Sequence, residues 1–147
     1  MHETPLKTVV QRARLKLSLA IVLLVTPTQI SIASVPPLEL IQLPPGFSIQ
    51  TFATDVPNAR AMALGDHDTL FVGSRSAGNV YALIDLDQDM RSDQLYIVAK
   101  GLHAPSGVAF YDDALYVSAV DRILRYDNIE SLLEGSPTPI TVTSALP

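Results

Sequence analysis

The sequence contains no cysteine, and this absence excludes several classes of site. A chain without thiols forms no disulfide, binds no metal through thiolates, and attaches neither haem nor a lipoprotein anchor through cysteine. Its stability must therefore come from its core and from any bound ion or cofactor. A hydrophobic content of 48% with 17% charged residues predicts a folded chain, and 147 residues are enough for one modest domain.

A hydrophobic run long enough to cross a membrane is also missing. Four basic residues lie within residues 1–16, and the largely apolar stretch 17–25 (LSLAIVLLV) is followed by small residues ending at Ala33. A spanning helix needs about 20 apolar residues, and Pro27 interrupts the continuation of this one. We therefore predict a secretory signal peptide over residues 1–33 rather than a retained anchor, and a periplasmic or secreted protein.

Positive charge is scarce once this segment is removed. The remaining chain keeps six of the ten basic residues and fourteen of the fifteen acidic residues, a net charge of −8. This balance disfavours nucleic acid as a partner, because binding to phosphates is dominated by lysine and arginine.

The rest of the chain is organised as short strands separated by turns. Four prolines in residues 34–46 predict an extended lead-in, and residues 47–147 alternate β-favouring runs with Gly-, Asp- and Ser-rich turns. Asp127 or Asn128 is expected to cap a short helix that ends at Gly135. The predicted strands lie near 47–53, 60–65, 69–74, 79–84, 94–99, 106–111, 114–119, 122–127 and 138–143.

The strand pattern occurs twice. The stretch 61–64 (AMAL) aligns with 107–110 (GVAF) at an offset of 46, and 70–72 (LFV) aligns with 115–117 (LYV) at an offset of 45. A period near 40–45 residues with four short strands per unit is typical of a β-propeller blade. We predict an all-β chain of about two four-stranded antiparallel blades, with blade one over 58–100 and blade two over 101–147. Two hairpins of an unrelated β-sandwich are the alternative.

Two blades are fewer than the four that a propeller needs. We therefore expect this chain to be the N-terminal part of a larger protein, with a self-assembling mini-propeller as the alternative. The strand near 47–53 is expected to complete the last blade of the ring. Unpaired blade edges favour self-association.

The antiparallel order of a blade sorts the connecting loops into two ends. The turn 65–68 (GDHD) and the loop 85–93 (DLDQDMRSD) lie at one end, and Arg75, Lys100 and His103 are expected at the other. The second end is the more basic, so it is the candidate site for an anionic ligand.

The loop DLDQDMRSD resembles a calcium loop. Its aspartates match positions 1, 3, 5 and 9 of such a loop: Asp85, Asp87, Asp89 and Asp93. Met90 stands at position 6, where a glycine makes the sharp turn, and Tyr96 stands at position 12, where a bidentate glutamate is expected. The loop is therefore either a weak calcium site or a solvated acidic turn.

Several stretches together resemble the soluble quinoprotein glucose/sorbosone dehydrogenase family. They are LPPGFSIQTFA, TLFVGSRSAGNVYAL, DLDQDMRSD and GLHAPSGVAFYDDALYVSAVDRILRYDNIE, which run from Leu43 to Glu130. The resemblance implies a six-bladed propeller that binds pyrroloquinoline quinone (PQQ) and calcium and oxidises a sugar or a related alcohol or aldehyde. Leu102-His103 replaces a glutamine of the glucose-type branch, so the sorbosone-type branch fits better.

Within that family the catalytic histidine, the main cofactor ligands and the calcium ligands near the cofactor belong to later blades, beyond Pro147. The resemblance therefore implies no catalytic residue here and a chain that is inactive by itself. Arg75 and His103 are the candidate cofactor-binding residues, since both lie at the basic end. The alternatives are a solvated hairpin arginine and a loop histidine bonded to backbone.

Two other functions fit the same architecture. One is a calcium-dependent lactonase-type propeller, which needs carboxylates on the inner strands, where ARAMAL and SGVAF offer none. The other is a non-catalytic binding propeller or an inactive remnant, because fold alone does not determine function.

Overall fold

The computed structural model describes residues 37–146. The predicted signal peptide, 1–33, and the first residues of the lead-in lie outside the described residues. Within the described part of the chain, no helix is both long and apolar enough to cross a membrane.

In the described part of the chain, eight strands form two separate four-stranded antiparallel sheets, each in sequence order. Sheet 1 contains β1 (Ala59–Leu64), β2 (Leu70–Ser74), β3 (Val80–Ile84) and β4 (Gln94–Ala99). Sheet 2 contains β5 (Gly107–Tyr111), β6 (Ala114–Ser118), β7 (Ile123–Asp127) and β8 (Ile140–Thr143). The prediction of an all-β chain with two such sheets is confirmed.

The two sheets repeat each other in register as well as in strand order. In sheet 1, Met62 pairs with Val72, which pairs with Tyr81 on the next strand. In sheet 2, Val108 pairs with Val117, which pairs with Leu124. These are the same positions that the sequence alignment of the repeats brings together, so the paired positions of β1–β3 have equivalents in β5–β7.

Each sheet has two faces, which we call front and back, and the front of sheet 2 packs against the back of sheet 1. Alternate residues of a strand point to opposite faces. The principal front residues of sheet 2 are Val108, Phe110, Leu115, Val117, Leu124 and Tyr126. The principal back residues of sheet 1 are Phe71, Gly73, Val80 and Ala82. Together with Val98, Ile129 and Leu133 they form the main core.

The inner strands approach closely within this core. The rings of Phe71 and Phe110 stack across the two sheets, with centroids 5.7 Å apart and 10° between the planes. A Cβ at Gly73 would lie 2.6 Å from the carbonyl oxygen of Pro105, so only glycine fits at this point of sheet 1. The segment that leads into β5 therefore lies directly on the backbone of β2.

The front of sheet 1 has its own, smaller core. Val72, Tyr81 and Leu83 are buried there. The cover comes from the segment before β1, whose Phe52 and Val56 pack against these three side chains. Because β2 and β3 are covered on both faces, their sequences read as near-continuous apolar runs.

The segment 47–53 is not a strand, which corrects the prediction. A strand needs a hydrogen-bonding partner along its edge, and in the described chain this segment joins neither sheet. The Phe52 carbonyl instead accepts a hydrogen bond from Ser92 N at 2.9 Å. Its side chains fold onto the front of sheet 1, where apolar surface is available.

Two smaller features also differ from the sequence predictions. The lead-in contains a single 3-10 turn, Leu38–Leu40, before the tight turn at Gly46. The expected capped helix is another 3-10 turn, Ile129–Leu132, and Asn128 makes no side-chain cap. Asn128 has φ 48°, and its carbonyl accepts the hydrogen bond from Ser131 N.

Candidate functional site

The meander order of each sheet separates the loops into two ends. The basic end consists of the segments 53–58, 75–79, 100–106 and 119–122. The acidic end consists of 65–69, 85–93, 112–113 and 128–139. Arg75 and His103 both lie at the basic end, and the aspartate loop lies at the acidic end, as the strand order requires.

Backbone hydrogen bonds join the loops of the basic end into one rim. Arg75 N donates to Asn58 O at 3.1 Å, which links two loops of sheet 1. Leu102 N donates to Gly78 O at 3.0 Å, and Val120 N donates to His103 O at 2.9 Å. The rim therefore continues from sheet 1 to sheet 2, with the side chains of Arg75 and His103 exposed along it.

The charges on this rim are not equally available. Arg122 Nε donates to Asp121 Oδ2 at 2.8 Å, so its charge is compensated by its own neighbour. The hydrogen bond from Arg122 lowers the pKa of Asp121, and the nearby His103 acts in the same direction. Arg75 has no carboxylate within salt-bridge distance in the described chain. Lys100, which is also exposed at the basic end, has none among the described residues either, so both cations are available to an anionic group.

The aspartate loop at the acidic end is folded around its own carboxylates. Met90 N donates to Asp85 Oδ2 at 2.9 Å, and Asp89 N donates to Asp87 Oδ1 at 3.2 Å. Met90 has φ 68°, the left-handed conformation that usually calls for glycine. The sharp turn of a calcium loop is therefore made without the glycine.

Three of the four predicted metal ligands are brought together. One carboxylate oxygen from each of Asp85, Asp87 and Asp89 lies within 4.8 Å of the others. Asp85 Oδ1 is buried and has no hydrogen-bond partner. Asp93 has another role, since its Oδ2 accepts a hydrogen bond from Leu86 N at 2.7 Å and closes the loop. Asp85, Asp87 and Asp89 could hold a cation.

A groove of about 430 Å³ opens beside this loop. It combines apolar walls with a few polar groups at one side. Its lining residues are Phe52, Leu64, Leu70, Met90, Asp68, Asp85 and Gln88.

A histidine–glutamate pair connects the two sheets at the acidic end, and sequence reasoning missed it. His67 Nδ1 lies 2.9 Å from Glu130 Oε2, and the amides of Asp66 and His67 also donate to this carboxylate. The Glu130 side chain is only 5% exposed, whereas that of His67 is 79% exposed. A Cβ at Gly65 would lie 2.3 Å from Glu130 Oε1, so the glycine makes room for the carboxylate.

The contact between His67 and Glu130 shifts the pKa of each residue in the direction that favours its charged form. The hydrogen bond to Glu130 raises the pKa of His67 above 6.5. Burial by itself raises the pKa of Glu130, but hydrogen bonds from Thr69 and His67 outweigh it and the net pKa lies below 4.5. The two residues are 63 positions apart. The only sequence signal for their meeting is that the strand order places both loops at one end.

No family model matches the chain. It is 26% identical over 110 residues to an uncharacterized protein of Borreliella burgdorferi, a similarity that covers 74% of this chain and 27% of that protein. The chain thus matches about a quarter of the relative's length. The description of that protein gives no activity.

Proposed function

We propose that the two sheets are consecutive blades of a β-propeller, and that the chain contributes them to an exported PQQ-dependent sugar dehydrogenase of the sorbosone type. The observation that carries the proposal is the repeated register, in which Met62–Val72–Tyr81 and Val108–Val117–Leu124 take equivalent places. Consecutive units with equivalent registers, packed front to back, are what a propeller is built from.

The basic end supports the cofactor class. Its exposed guanidinium, Arg75, suits a carboxylate, and the quinone cofactor of this family is a polycarboxylate. His103 stands on the same hydrogen-bonded rim and offers a ring nitrogen for a hydrogen bond. The group itself would supply the redox chemistry. These two residues would position it, and the reaction would need residues from other blades.

Calcium enters the proposal in a structural role. The three clustered carboxylates lie in loop 85–93, at the end of the sheets opposite to Arg75 and His103. An ion there would stiffen the connection between β3 and β4 and would not contact a quinone held at the basic end.

Binding of PQQ to the purified chain tests the proposal directly. Equilibrium dialysis with calcium present should show weak retention of the quinone, since the main cofactor ligands belong to other blades, and Arg75→Ala should weaken it further, about tenfold, because a charge-assisted contact is lost. Arg91→Ala, which removes an exposed arginine from the acidic end, is the matched control and should leave retention unchanged. Equal losses in both variants, or no retention by the unaltered chain, would contradict the proposal. The chain alone should reduce no dye with any sugar.

A further inference from the structure

The front of sheet 1 is an apolar face that is only partly covered within the described chain. Phe52, Ala53 and Val56 cover its centre. On the inner strand β1, Met62 and Leu64 remain 65% and 61% exposed. Adjacent exposed apolar side chains on a sheet face mark a place where another surface packs.

The repeat identifies the surface that fits there. Met62 and Leu64 are the equivalents of Val108 and Phe110, the front residues with which sheet 2 packs against the back of sheet 1. The front of sheet 1 therefore presents apolar side chains at the same positions as the front of sheet 2, which packs on the back of sheet 1. Its complement is the back of a sheet of this kind, and within residues 37–146 one such face has no sheet packed on it, the back of sheet 2.

We propose that this chain self-associates head to tail, with the front of sheet 1 in one copy docking on the back of sheet 2 in a second copy. The inference goes beyond the proposed enzymatic function and rests only on the repeated packing. The proposed contact is between sheet faces, whereas pairing along strand edges would involve the backbone of β1, β4, β5 or β8.

Individual contacts follow from the known interface. Phe71 on the back of sheet 1 stacks on Phe110 at the front of sheet 2. Their equivalents are Tyr116, on the back of sheet 2, and Leu64, so we expect Leu64 to lie against Tyr116 of the second copy. Ala109 takes the position of Ala63 and keeps the inner strand small enough for close approach.

The back of sheet 2 is more polar than the back of sheet 1. Ser118 stands where sheet 1 has Gly73, so a second copy cannot approach this strand as closely as sheet 2 approaches β2. Arg125 stands where sheet 1 has Ala82. Its Nε lies 2.7 Å from Asp127 Oδ1, so the charge is compensated within the face. Arg125 has the position of the fully buried Ala82, so docking would bury the Arg125–Asp127 pair, and the attraction within the pair has to offset the desolvation of both charges.

The segment before β1 competes with the second copy. Gln50 Nε2 donates to Met90 O at 2.8 Å and to Asp89 O at 3.2 Å, which fastens this segment to the aspartate loop. Phe52 then lies on the surface that the second copy needs. Docking therefore requires the cover to move, and loosening it should strengthen association.

A head-to-tail contact has different surfaces on its two sides, so it forms a ring if the rotation between copies closes. Propellers have about four to eight blades, and a chain that supplies two would close with about two to four copies.

The test uses two surface variants that block opposite faces. Met62→Lys with Leu64→Lys blocks the front, and Ala109→Lys with Tyr111→Lys blocks the back; all four positions are exposed. Sedimentation velocity should show the unaltered chain associating, each blocked variant monomeric, and an equal mixture of the two forming a 1:1 complex and nothing larger. Circular dichroism confirms that each variant is folded.

Three results would overturn the proposal. They are a monomeric unaltered chain at every concentration, a back-blocked variant that still dimerises through its front, and an equal mixture that forms no complex. The first would assign the front of sheet 1 to another partner, and the second would assign it to a symmetric front-to-front dimer. Gln50→Ala should tighten association about three- to tenfold, since it removes the fastening hydrogen bonds, whereas Gln42→Ala in the exposed lead-in should not. No quinone is present, so failure here leaves the dehydrogenase proposal untouched.

Discussion

At the scale of single residues, Glu130 has the most demanding position in the described chain. Its nearly buried carboxylate accepts hydrogen bonds from two backbone amides of the β1–β2 turn and from His67. A buried carboxylate is tolerated only when its oxygens are satisfied. Glu130 therefore ties a loop of sheet 2 to a loop of sheet 1 through contacts that depend on its charge.

Replacing this carboxylate should destabilise the whole chain. We expect Glu130→Gln to lower the free energy of unfolding by about 1–3 kcal/mol, because the new amide N–H₂ faces backbone donors and leaves them unsatisfied. Urea unfolding measures the effect, and Glu134→Gln, an exposed neighbour, serves as the control. Gly65→Ala should also destabilise, and less so in a Glu130→Ala background, where the clash is removed. Additive effects of the last two changes would contradict the described contact.

The same pair sets a pH dependence of stability. Because the folded pKa of His67 is raised, its contribution is complete below about pH 6.5 and is lost as the pH rises through the folded value. Because the folded pKa of Glu130 is lowered, its contribution is present above about pH 4.5 and is lost as the pH falls through the folded value. Stability from the pair is therefore greatest between these two limits.

Thermal unfolding across this range checks the sign. The melting temperature should decline above pH 6.5 in the unaltered chain, and the decline should be smaller in His67→Gln. His103→Gln, at the basic end, is the control and should keep the decline. An identical profile for the unaltered chain and His67→Gln would show that the pair is not charged in solution.

At the scale of elements, the loop between β3 and β4 allows the most direct comparison of a sequence pattern with the structure. The aspartate spacing predicted either four ligands of a weak calcium loop or a solvated acidic turn, and one carboxylate oxygen from each of Asp85, Asp87 and Asp89 lies within 4.8 Å of the others. The pattern did not foresee that Met90 would adopt the left-handed conformation of the missing glycine. The hydrogen bond from Met90 N to Asp85 holds it there.

If calcium occupies this loop with the weak affinity typical of extracellular modules, about 10 mM calcium should stabilise the chain by about 1.5–2.5 kcal/mol. The melting temperature would rise by several degrees. Asp89→Asn should abolish most of the rise, because it removes one ligand charge, and the Asp89 carboxylate accepts no hydrogen bond that holds the turn together in the described chain. Asp112→Asn, at the same end, is the control. A melting temperature unaffected by calcium would identify the loop as a solvated acidic turn.

Strand positions were predictable from the sequence because they depend on local alternation and on the internal repeat. The segment 47–53 was not, because its alternating pattern suits a strand whereas only the presence of a pairing edge makes one. The contact of His67 with Glu130 was also not predictable. This contact arises from the stacking of two sheets, and neither residue lies in a sequence pattern that predicts a partner.

At the scale of the whole molecule, one shared core joins the two sheets. Buried residues of both sheets belong to the same cluster, and the rings of Phe71 and Phe110 meet at its inner edge. A four-stranded sheet with one apolar face uncovered is poorly stable alone. The two sheets should therefore unfold together, in one cooperative transition.

A double-mutant cycle on Phe71 and Phe110 tests most directly whether the two repeats form one front-to-back packed unit. Phe71→Leu, Phe110→Leu and the double variant are unfolded in urea, with the exposed Tyr111→Leu as the control for a change outside the core. We expect a single transition in every variant and a coupling energy of about 0.5–1.5 kcal/mol between the two rings. Strictly additive effects, or separate transitions for the two sheets, would contradict the shared core and the propeller-type packing inferred from it.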